Sequence, residues 1–330
     1  MSKPKRSVMA GVAALVIVGV LLISLIFGYQ ILSLFNVSHA QGYTLAKTQS
    51  GLVVADPLAG GSNTWTFWGD AIAKNATHSH SENSSGLYLG VTSVKSGEWA
   101  GYYGAESSGK ANVFHATLTL PYSTIKNGSF NTGLYVQTTV NPIDYIACGA
   151  GVNDLGYYWQ VVIGTGNPFV ANNYQPVYYR WMGNQSLTQE CTIVTNGTNF
   201  LSVYLGNTEV YSNGSLDLQI LPPFTAYLAV ESTSTQMLYG KYTDFYATLG
   251  DSVAVLNAPA GGSVAIVDSS NATIESAMVN SGSTAVLQLT PNTPLPNGYL
   301  RVYNSNGTLL ASTSKLSTFW GGDVYTLRSS

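Results

Sequence analysis

Charged residues are scarce in this chain of 330 residues: Asp, Glu, Lys and Arg together make up 9 %, against about 25 % in an ordinary soluble domain. The 13 basic residues are outnumbered by 16 acidic ones, and three of the basic residues are Lys3, Lys5 and Arg6. A nucleic-acid-binding protein needs a basic face, which this sequence lacks. Hydrophobic residues make up 45 %, and this excludes an intrinsically disordered chain, which would combine low hydrophobicity with high charge.

One long apolar run, residues 8–27, follows directly after these basic residues. The run, VMAGVAALVIVGVLLISLIF, contains no charged residue, and as a helix it would be roughly 30 Å long, the thickness of a bilayer core. Basic residues before such a run predict a cytoplasmic N-terminus. The sequence therefore predicts one N-terminal transmembrane helix that anchors the chain in the cell membrane, with everything after about residue 37 outside.

Two alternatives to a retained anchor remain open. One is a cleaved signal peptide, because Ser38-His39-Ala40 is a small-x-small site before Gln41. The other is a leader that resembles those of archaeal type IV pilins, in which a basic stretch precedes a long apolar helix. Ser7 stands where that family usually has Gly or Ala. The length of the apolar run exceeds the roughly 7–15 residues of a signal peptide, which favours the anchor.

Beyond Gly42 the sequence shows short runs of alternating apolar and polar residues, the pattern of half-buried β-strands. In Val113–Leu120, for example, Phe114, Leu118 and Leu120 share one face. Turn signals rich in Gly and Asn separate the runs, which predicts a sandwich or jelly roll. The other runs are Gly133–Thr139, Tyr157–Ile163, Val177–Met182, Phe200–Leu205, Ala226–Glu231 and Lys241–Leu249.

Asn-x-Ser/Thr sequons are frequent, which agrees with export and predicts a glycoprotein. One of them, Asn36, lies just beyond the apolar run. The eight candidate glycosylation sites in the predicted ectodomain are Asn75, Asn83, Asn127, Asn184, Asn196, Asn213, Asn271 and Asn306.

The two cysteines, Cys148 and Cys191, both lie in the segment predicted to be outside the membrane, where disulfides persist. We therefore expect a disulfide between them; two buried free thiols are the alternative. The spacing of a zinc site with two Cys and two His ligands is missing.

A change of composition near Leu249-Gly250-Asp251 predicts a domain boundary. Tyr and Trp are dense before it and sparse after it, and two similar hairpin patterns follow at Val264–Ala277 and Leu300–Thr313. The predicted fold class is all-β, with a jelly-roll sandwich in residues 43–249 and a small immunoglobulin-like or transthyretin-like sandwich in residues 250–330. Residues 1–42 form the cytoplasmic tip and the anchor, and the small sandwich is expected to lie farthest from the membrane.

Residues 50–248 resemble the concanavalin A-like lectin/glucanase superfamily, which includes laminin-G-like domains. The stretches that carry the resemblance are WTFWGDA from Trp65, GLYLGV from Gly86, NVFHATLTLP from Asn112, FLSVYLGNTEVYSNGSLDLQI from Phe200, AYLAVEST from Ala226 and YTDFYATL from Tyr242. The resemblance implies a two-sheet jelly roll that binds or cleaves sugars, and it makes calcium the one cofactor to consider.

Catalytic motifs are missing from this segment. Glucanases of the superfamily carry a Glu-x-Asp-x-x-Glu strand, which places nucleophile and acid on one face. No glutamate of the segment has this pattern, and no G-x-S-x-G nucleophile motif is present. The sequence therefore favours a non-enzymatic function over a glycoside hydrolase.

His78, His80 and Glu82 form a weak candidate for a metal site. If the segment is extended, its period of two places these side chains on one face, and imidazole with carboxylate suits zinc or a similar ion. A polar surface loop between two sequons is the favoured alternative.

Clusters of aromatic residues are the strongest indication of a ligand, because sugars pack their apolar C–H faces on aromatic rings while Asn and Asp bind the hydroxyl groups. The alternative is that the rings belong to the core. The candidate carbohydrate-binding residues are Tyr157, Trp159, Tyr179, Trp181, Asn153 and Asp154.

These observations predict a membrane-anchored protein of archaeal type at the cell surface that binds carbohydrate or acts in adhesion without enzymatic activity. The expected partners are the membrane, through residues 8–27, and glycans or surface proteins, with a homo-oligomer as a further option. A pilus or surface-layer subunit assembled through the N-terminal helix is the first alternative, and a glycoside hydrolase is the second.

Overall fold

The computed structural model describes residues 42–60, 65–121, 124–125, 127–138, 144–165, 174–183, 187–280, 282–289 and 296–329. Within these ranges the chain forms β-strands and one short helix, α1 (Asp70–Ala73), which confirms the all-β fold class. The predicted anchor, residues 8–27, lies outside these ranges. The helix in the described ranges, α1, lacks the length and apolar character needed to cross a bilayer.

Most of the strands build a large sandwich. They are β2 (Leu52–Asp56), β3 (Thr66–Trp68), β4 (His78–Asn83), β5 (Gly86–Val91), β6 (Ala100–Gly109), β7 (Val113–Leu120), β8 (Ser129–Thr138), β9 (Asp144–Asn153), β10 (Gly156–Thr165), β11 (Tyr174–Gly183), β12 (Leu187–Thr195), β13 (Leu201–Leu205), β14 (Thr208–Asn213), β15 (Phe224–Ser232) and β16 (Leu238–Thr248).

These strands form two antiparallel sheets. The seven-stranded sheet has the order β11-β10-β9-β8-β15-β6-β3, and the eight-stranded sheet has the order β14-β13-β12-β7-β16-β5-β4, with β2 also paired to β16. The chain passes repeatedly between the sheets: β5, β7, β12 and β16 lie in one, and β6, β8 and β15 lie in the other. This is the predicted jelly roll.

The core of the large sandwich lies between the two sheets and follows from the alternation of side chains along each strand. In β7, Phe114, Leu118 and Leu120 are buried as predicted. Phe224 of the opposite sheet meets Phe114 edge to face, with ring centroids 5.7 Å apart.

The predicted disulfide between Cys148 and Cys191 is confirmed. Cys148 lies in β9 and Cys191 in β12, so the bond joins the two sheets across the core. The Cα atoms are 6.3 Å apart, and both residues are fully buried.

The remaining strands build a small sandwich with a hydrophobic core of its own. A four-stranded sheet has the order β1-β24-β17-β20; the facing sheet has the order β19-β18-β21-β22, with β23 paired to β21. The bounds are β1 (Tyr43–Gln49), β17 (Ser252–Leu256), β18 (Ser263–Val267), β19 (Thr273–Met278), β20 (Thr284–Gln288), β21 (Asn297–Tyr303), β22 (Leu309–Ser312), β23 (Ser317–Thr318) and β24 (Val324–Ser329).

Strand β1 belongs to the small sandwich although it precedes the large one in sequence, because it pairs with the last strand, β24. The buried carboxylate of Asp323 holds this start of the chain: its Oδ1 lies 2.7 Å from Nζ of Lys47 and accepts the backbone N–H of Gly51 at 2.8 Å. A chain anchored through residues 8–27 would therefore enter the small sandwich first. The small sandwich would then lie next to the membrane, whereas the sequence analysis expected it to lie farthest from the membrane.

Candidate functional site

The seven-stranded sheet has one face in the core and one that points away from it, called the outer face below. In β8, Phe130 and Leu134 are buried in the core, so Asn131, Gly133 and Tyr135 lie on the outer face. The strand register carries this assignment across the sheet. Every strand of the sheet contributes an aromatic residue to the outer face, and these residues are Trp68, Tyr103, Tyr135, Tyr145, Tyr158, Tyr179, Trp181 and Tyr227.

Three of these rings form a group at the β11 edge of the sheet, called the edge cluster: Tyr158, Tyr179 and Trp181. Tyr158 stacks on Tyr179 with ring centroids 4.9 Å apart, and Trp181 meets both rings edge to face at 5.5 Å and 5.3 Å. Tyr179 is 43 % exposed and Trp181 is 46 % exposed. The cluster therefore presents two mutually supported rings to solvent.

Two of the predicted carbohydrate-binding residues do not reach this surface. Tyr157 and Trp159 are 1 % and 3 % exposed and belong to the core between the sheets. In β10 the side chains of Tyr158 and Gln160 point outward and those of Tyr157 and Trp159 point into the core, the reverse of the predicted assignment. Tyr158 is therefore the β10 ring that joins Tyr179 and Trp181. This corrects the assignment of Tyr157 and Trp159 as ligand-binding residues.

Asn153 and Asp154 lie at the turn between β9 and β10. The side-chain oxygen of Asn153 accepts the backbone N–H of Leu155 at 2.9 Å and thereby shapes the turn, and Asp154 is exposed. The nearest outer-facing amide in the row of the edge cluster is Asn131, which accepts the hydroxyl of Tyr158 at 2.6 Å.

Glycines allow the tyrosine rings to lie flat against the sheet. A Cβ atom at Gly151 would lie 2.3 Å from Cζ of Tyr158, and one at Gly164 would lie 1.6 Å from Cε1 of Tyr145. No other residue type leaves room for these rings, since real Cβ atoms do not approach other atoms this closely.

A second group on the outer face surrounds a carboxyl group and is called the Glu231 cluster: Glu231, Trp68, Trp99, Tyr103 and Tyr135. The hydroxyl of Tyr103 donates to Oε1 of Glu231 at 3.0 Å, and the side chains of Tyr135 and Trp99 also hydrogen-bond to this carboxyl group. The ring of Trp68 lies against that of Tyr103, with centroids 5.1 Å apart.

Burial among these rings raises the pKa of Glu231, the hydrogen bonds from Tyr103, Tyr135 and Trp99 oppose this rise, and the charge of Asp70 adds to it. Burial, followed by the charge of Glu231, also raises the pKa of Tyr103 well above its usual value. Glu231 keeps some exposure to solvent. The carboxyl group is therefore enclosed by these rings, and its hydrogen bonds fix their positions.

Helix α1 supports the Glu231 cluster from the side. Asp70 accepts the backbone N–H of Gly101 at 2.6 Å and pairs with Lys74 at 2.6 Å. Nζ of Lys74 also donates to the backbone oxygen of Trp99 at 2.5 Å and lies over the Trp99 ring, 5.3 Å from its centroid. These contacts set the position of Trp99 beside Glu231.

His78, His80 and Glu82 share one side of β4, as the period of two predicts, but they do not form a metal site. That side faces the core at the edge of the sandwich, where His80 stacks on Phe67 at 3.8 Å and bonds the hydroxyl of Tyr102 at 2.7 Å. Glu82 accepts the backbone N–H of Gly60. In the described part of the chain, no three His, Cys, Asp or Glu side chains are grouped so that they could hold a metal ion.

Most of the predicted glycosylation sites that the structure describes are exposed, and Asn213 is half-buried. Asn184 and Asn36 lie outside the described residues. No described sequon contributes to the edge cluster or the Glu231 cluster; the exposed ones are Asn75, Asn83, Asn127, Asn196, Asn271 and Asn306.

No protein-family model and no curated protein sequence matches this chain. Similar solved structures include the CBM2 module of an evolved Dit protein of Lactobacillus casei BL23 phage J-1, which is 12 % identical over 62 % of this chain and 97 % of its own, with a TM-score of 0.40. The β-glucanase of Bacillus licheniformis is 11 % identical over 61 % of this chain and 99 % of its own, with a TM-score of 0.41.

The carbohydrate-binding module CBM66 from Bacillus subtilis is 7 % identical over 56 % of this chain and 96 % of its own, with a TM-score of 0.34. Because all three TM-scores are low, the fold assignment rests on the strand pairing of this chain, and its function has to be argued from its own residues.

Proposed function

We propose that this protein binds carbohydrate through the outer face of the seven-stranded sheet. The observation that carries the proposal is the edge cluster, in which Tyr179 and Trp181 are exposed while their orientations are fixed by Tyr158. Rings held in place lose little entropy when a ligand binds. Sugars pack their C–H faces on such rings, and the polar groups beside them, Asn131 and Gln160, suit sugar hydroxyl groups.

We further propose that the protein acts at the cell surface, anchored through residues 8–27 with the sandwiches outside. The apolar run and the preceding basic residues support this, as does the disulfide, which persists in an oxidising environment. Binding at the surface gives a function in adhesion or glycan capture.

The test is binding of the full chain, in a detergent without a sugar headgroup, to a panel of glycans by calorimetry. Trp181→Ala and Tyr179→Ala should each weaken binding about two- to tenfold, the equivalent of about 0.5–1.5 kcal/mol for an aromatic contact. Tyr239→Ala is the matched control, because Tyr239 is 44 % exposed but lies on the other sheet. Absence of binding to every glycan from folded protein would refute the proposal.

A glycoside hydrolase is the second candidate, because one observation favours it: the carboxyl groups of Glu231 and Asp70 interact and the pKa of Glu231 is raised, as expected of a general acid. Release of reducing ends from a bound polysaccharide would support this candidate if Glu231→Gln and Asp70→Asn abolished it. Binding without any release would leave the non-enzymatic function.

A further inference from the structure

We infer that the two sandwiches move as one rigid body, because the glycine-rich segments between them form a fixed joint and not a hinge. The joint consists of Gly51, residues 249–251 and the turn at residues 320–323, which includes Asp323. It holds the outer face of the seven-stranded sheet in one orientation relative to β1, whether or not that face binds carbohydrate.

The chain crosses between the sandwiches twice, and the two crossings are joined to each other. The chain leaves the small sandwich at Gly51, after β1, and returns at residues 249–251, before β17; β1 and β17 lie in one sheet. The backbone N–H of Leu249 donates to the backbone oxygen of Gly51 at 2.8 Å. A single flexible linker lets two domains rotate against each other, whereas two hydrogen-bonded connections side by side resist that rotation.

Glycines at a domain boundary often indicate a hinge, but here they let three backbone segments pack against one another. A Cβ atom at Gly51 would lie 2.1 Å from the backbone oxygen of Gly321, and one at Gly321 would lie 1.8 Å from the backbone oxygen of Gly250. Gly322 has a φ of +88°, which other residues rarely adopt, and its N–H donates to the backbone oxygen of Ser252 at 2.7 Å. Such close packing leaves no room for the segments to bend.

Asp323 connects the parts of the joint through one fully buried carboxylate. Its Oδ1 accepts the backbone N–H of Gly51 and pairs with Lys47 of β1, and its Oδ2 accepts the backbone N–H of Trp320 at 3.0 Å. Hydrogen bonds to an ionised carboxylate are stronger than those between neutral groups, and a buried carboxylate that lost them would be left uncompensated. The carboxylate therefore ties β1, the first crossing and the turn together.

Trp320 provides a further contact between the sandwiches beside the two crossings. Its ring meets that of Tyr246 edge to face, with centroids 5.6 Å apart, and Tyr246 stacks on His115 at 4.5 Å. This contact opposes bending about the crossings. Because Tyr246 and His115 lie on the outer face of the eight-stranded sheet, the small sandwich packs there and leaves the edge cluster, on the opposite sheet, uncovered.

A fixed joint determines how an anchored chain presents the edge cluster. The small sandwich would lie next to the membrane, and the edge cluster would be held on the side of the large sandwich that faces away from the contact with Trp320. A ligand on another surface would then meet rings whose orientation is already set, so binding would not have to restrict a swinging domain.

The experiment measures the distance between two spin labels in the full chain, in detergent, by double electron–electron resonance. The labels are attached through non-natural amino acids at Lys95 and Lys315, which are exposed in the large and the small sandwich, so that the native disulfide stays intact. The wild type should give one narrow distance distribution. Trp320→Ala and Gly321→Ala should each lose the single narrow peak, because each removes a contact of the joint. Met278→Ala, at an exposed position of the small sandwich, is the control that should keep it.

A broad distribution in the wild type would show a hinge and overturn the inference. An unchanged narrow peak in both variants, with folding verified by circular dichroism, would also overturn it, because the orientation would not depend on these contacts. Trp320→Ala decides alone if Gly321→Ala does not fold, since it removes a half-buried ring and leaves the backbone packing intact. These measurements involve no glycan, so their outcome is independent of the proposed function.

Discussion

The two sheets of the large sandwich share one core but have outer faces of opposite character. The seven-stranded sheet carries Tyr and Trp on all seven strands, with glycines beneath the rings. The eight-stranded sheet carries a more mixed set at the corresponding positions of its central strands, with threonines such as Thr117, Thr119 and Thr188 beside Glu190 and Lys241. Because Tyr179 and Trp181 on the face of the seven-stranded sheet are exposed with fixed orientations, it is the face on which we propose that a ligand binds.

Where the eight-stranded sheet does bury aromatic groups on its outer face, it does so against the small sandwich. His115 stacks on Tyr246 with ring centroids 4.5 Å apart, and Tyr246 meets Trp320 at 5.6 Å. His115 is buried and Tyr246 and Trp320 are half-buried, whereas Tyr179 and Trp181 are exposed. The difference shows that an aromatic group is a candidate for binding only when its rings remain accessible.

The largest expected effect concerns the bond that holds the two sheets together. Replacement of both Cys148 and Cys191 by Ala should lower the free energy of unfolding by about 3–4 kcal/mol, because the bond closes a loop of 43 residues. Denaturant unfolding of the full chain measures this. Equal stability of the variant and the wild type would show that core packing alone determines how the sheets are placed.

The next effect tests why the outer face of the seven-stranded sheet is rich in glycine. Gly151→Ala should cost about 1–3 kcal/mol, the usual penalty of overpacking, because its Cβ would overlap the ring of Tyr158. Displacement of Tyr158 should also weaken glycan binding at Trp181. Gly214→Ala is the control, since a Cβ there would meet nothing within 4 Å. Equal effects of the two substitutions would contradict the role of the flat rings.

A third prediction uses pH to distinguish the buried imidazole of His115 from the partly exposed imidazole of His78. Burial lowers the pKa of His115 to about 4, so the unfolded chain binds a proton below about pH 6.5 while the folded chain does not. Stability should therefore fall by about 2 kcal/mol from about pH 7 to about pH 5. His115→Gln should remove this loss and His78→Gln should not. An unchanged loss in His115→Gln would contradict the burial of His115.

The sequence predicted the strands well where apolar and polar residues alternate. Strand β7 has the predicted bounds, Val113–Leu120, and β15 extends the run Ala226–Glu231 by a few residues. Strand β9, DYIACGAGVN, was missed, because Gly149 and Gly151 stand on its outer face where a polar side chain would have completed the alternation. The glycines that make room for the rings thus conceal the strand in the sequence.

The site was predicted only in part, for a reason that is also physical. In β10 the residues of both faces are aromatic, so Tyr157 and Trp159 could not be distinguished from Tyr158 by hydrophobicity. The polar Gln160 shares the face of Tyr158, and this was the one local signal for the correct phase. Nothing in the sequence near Glu231 indicates its partners, since Tyr103 is 128 residues away.

The smallest expected effect concerns Glu231, the carboxyl group enclosed by the aromatic rings of the seven-stranded sheet. Its pKa is raised mainly by burial, so the folded state binds a proton at a higher pH than the unfolded state, whose glutamate titrates near pH 4.3. This group therefore favours folding more as the pH falls through its raised pKa. Relative to Glu231→Gln, the wild type should gain stability on acidification from neutral pH.

The measurement is the difference in free energy of unfolding between wild type and Glu231→Gln across this pH range, with Glu98→Gln, at an exposed position, as the control that should show no such trend. The same variant should weaken glycan binding at neutral pH, because an amide cannot accept the donors of Tyr103, Tyr135 and Trp99 as a carboxylate does. A flat or opposite pH trend would mean that Glu231 is well solvated. The rings around it would then be held by their mutual packing, as on the opposite sheet at His115 and Tyr246.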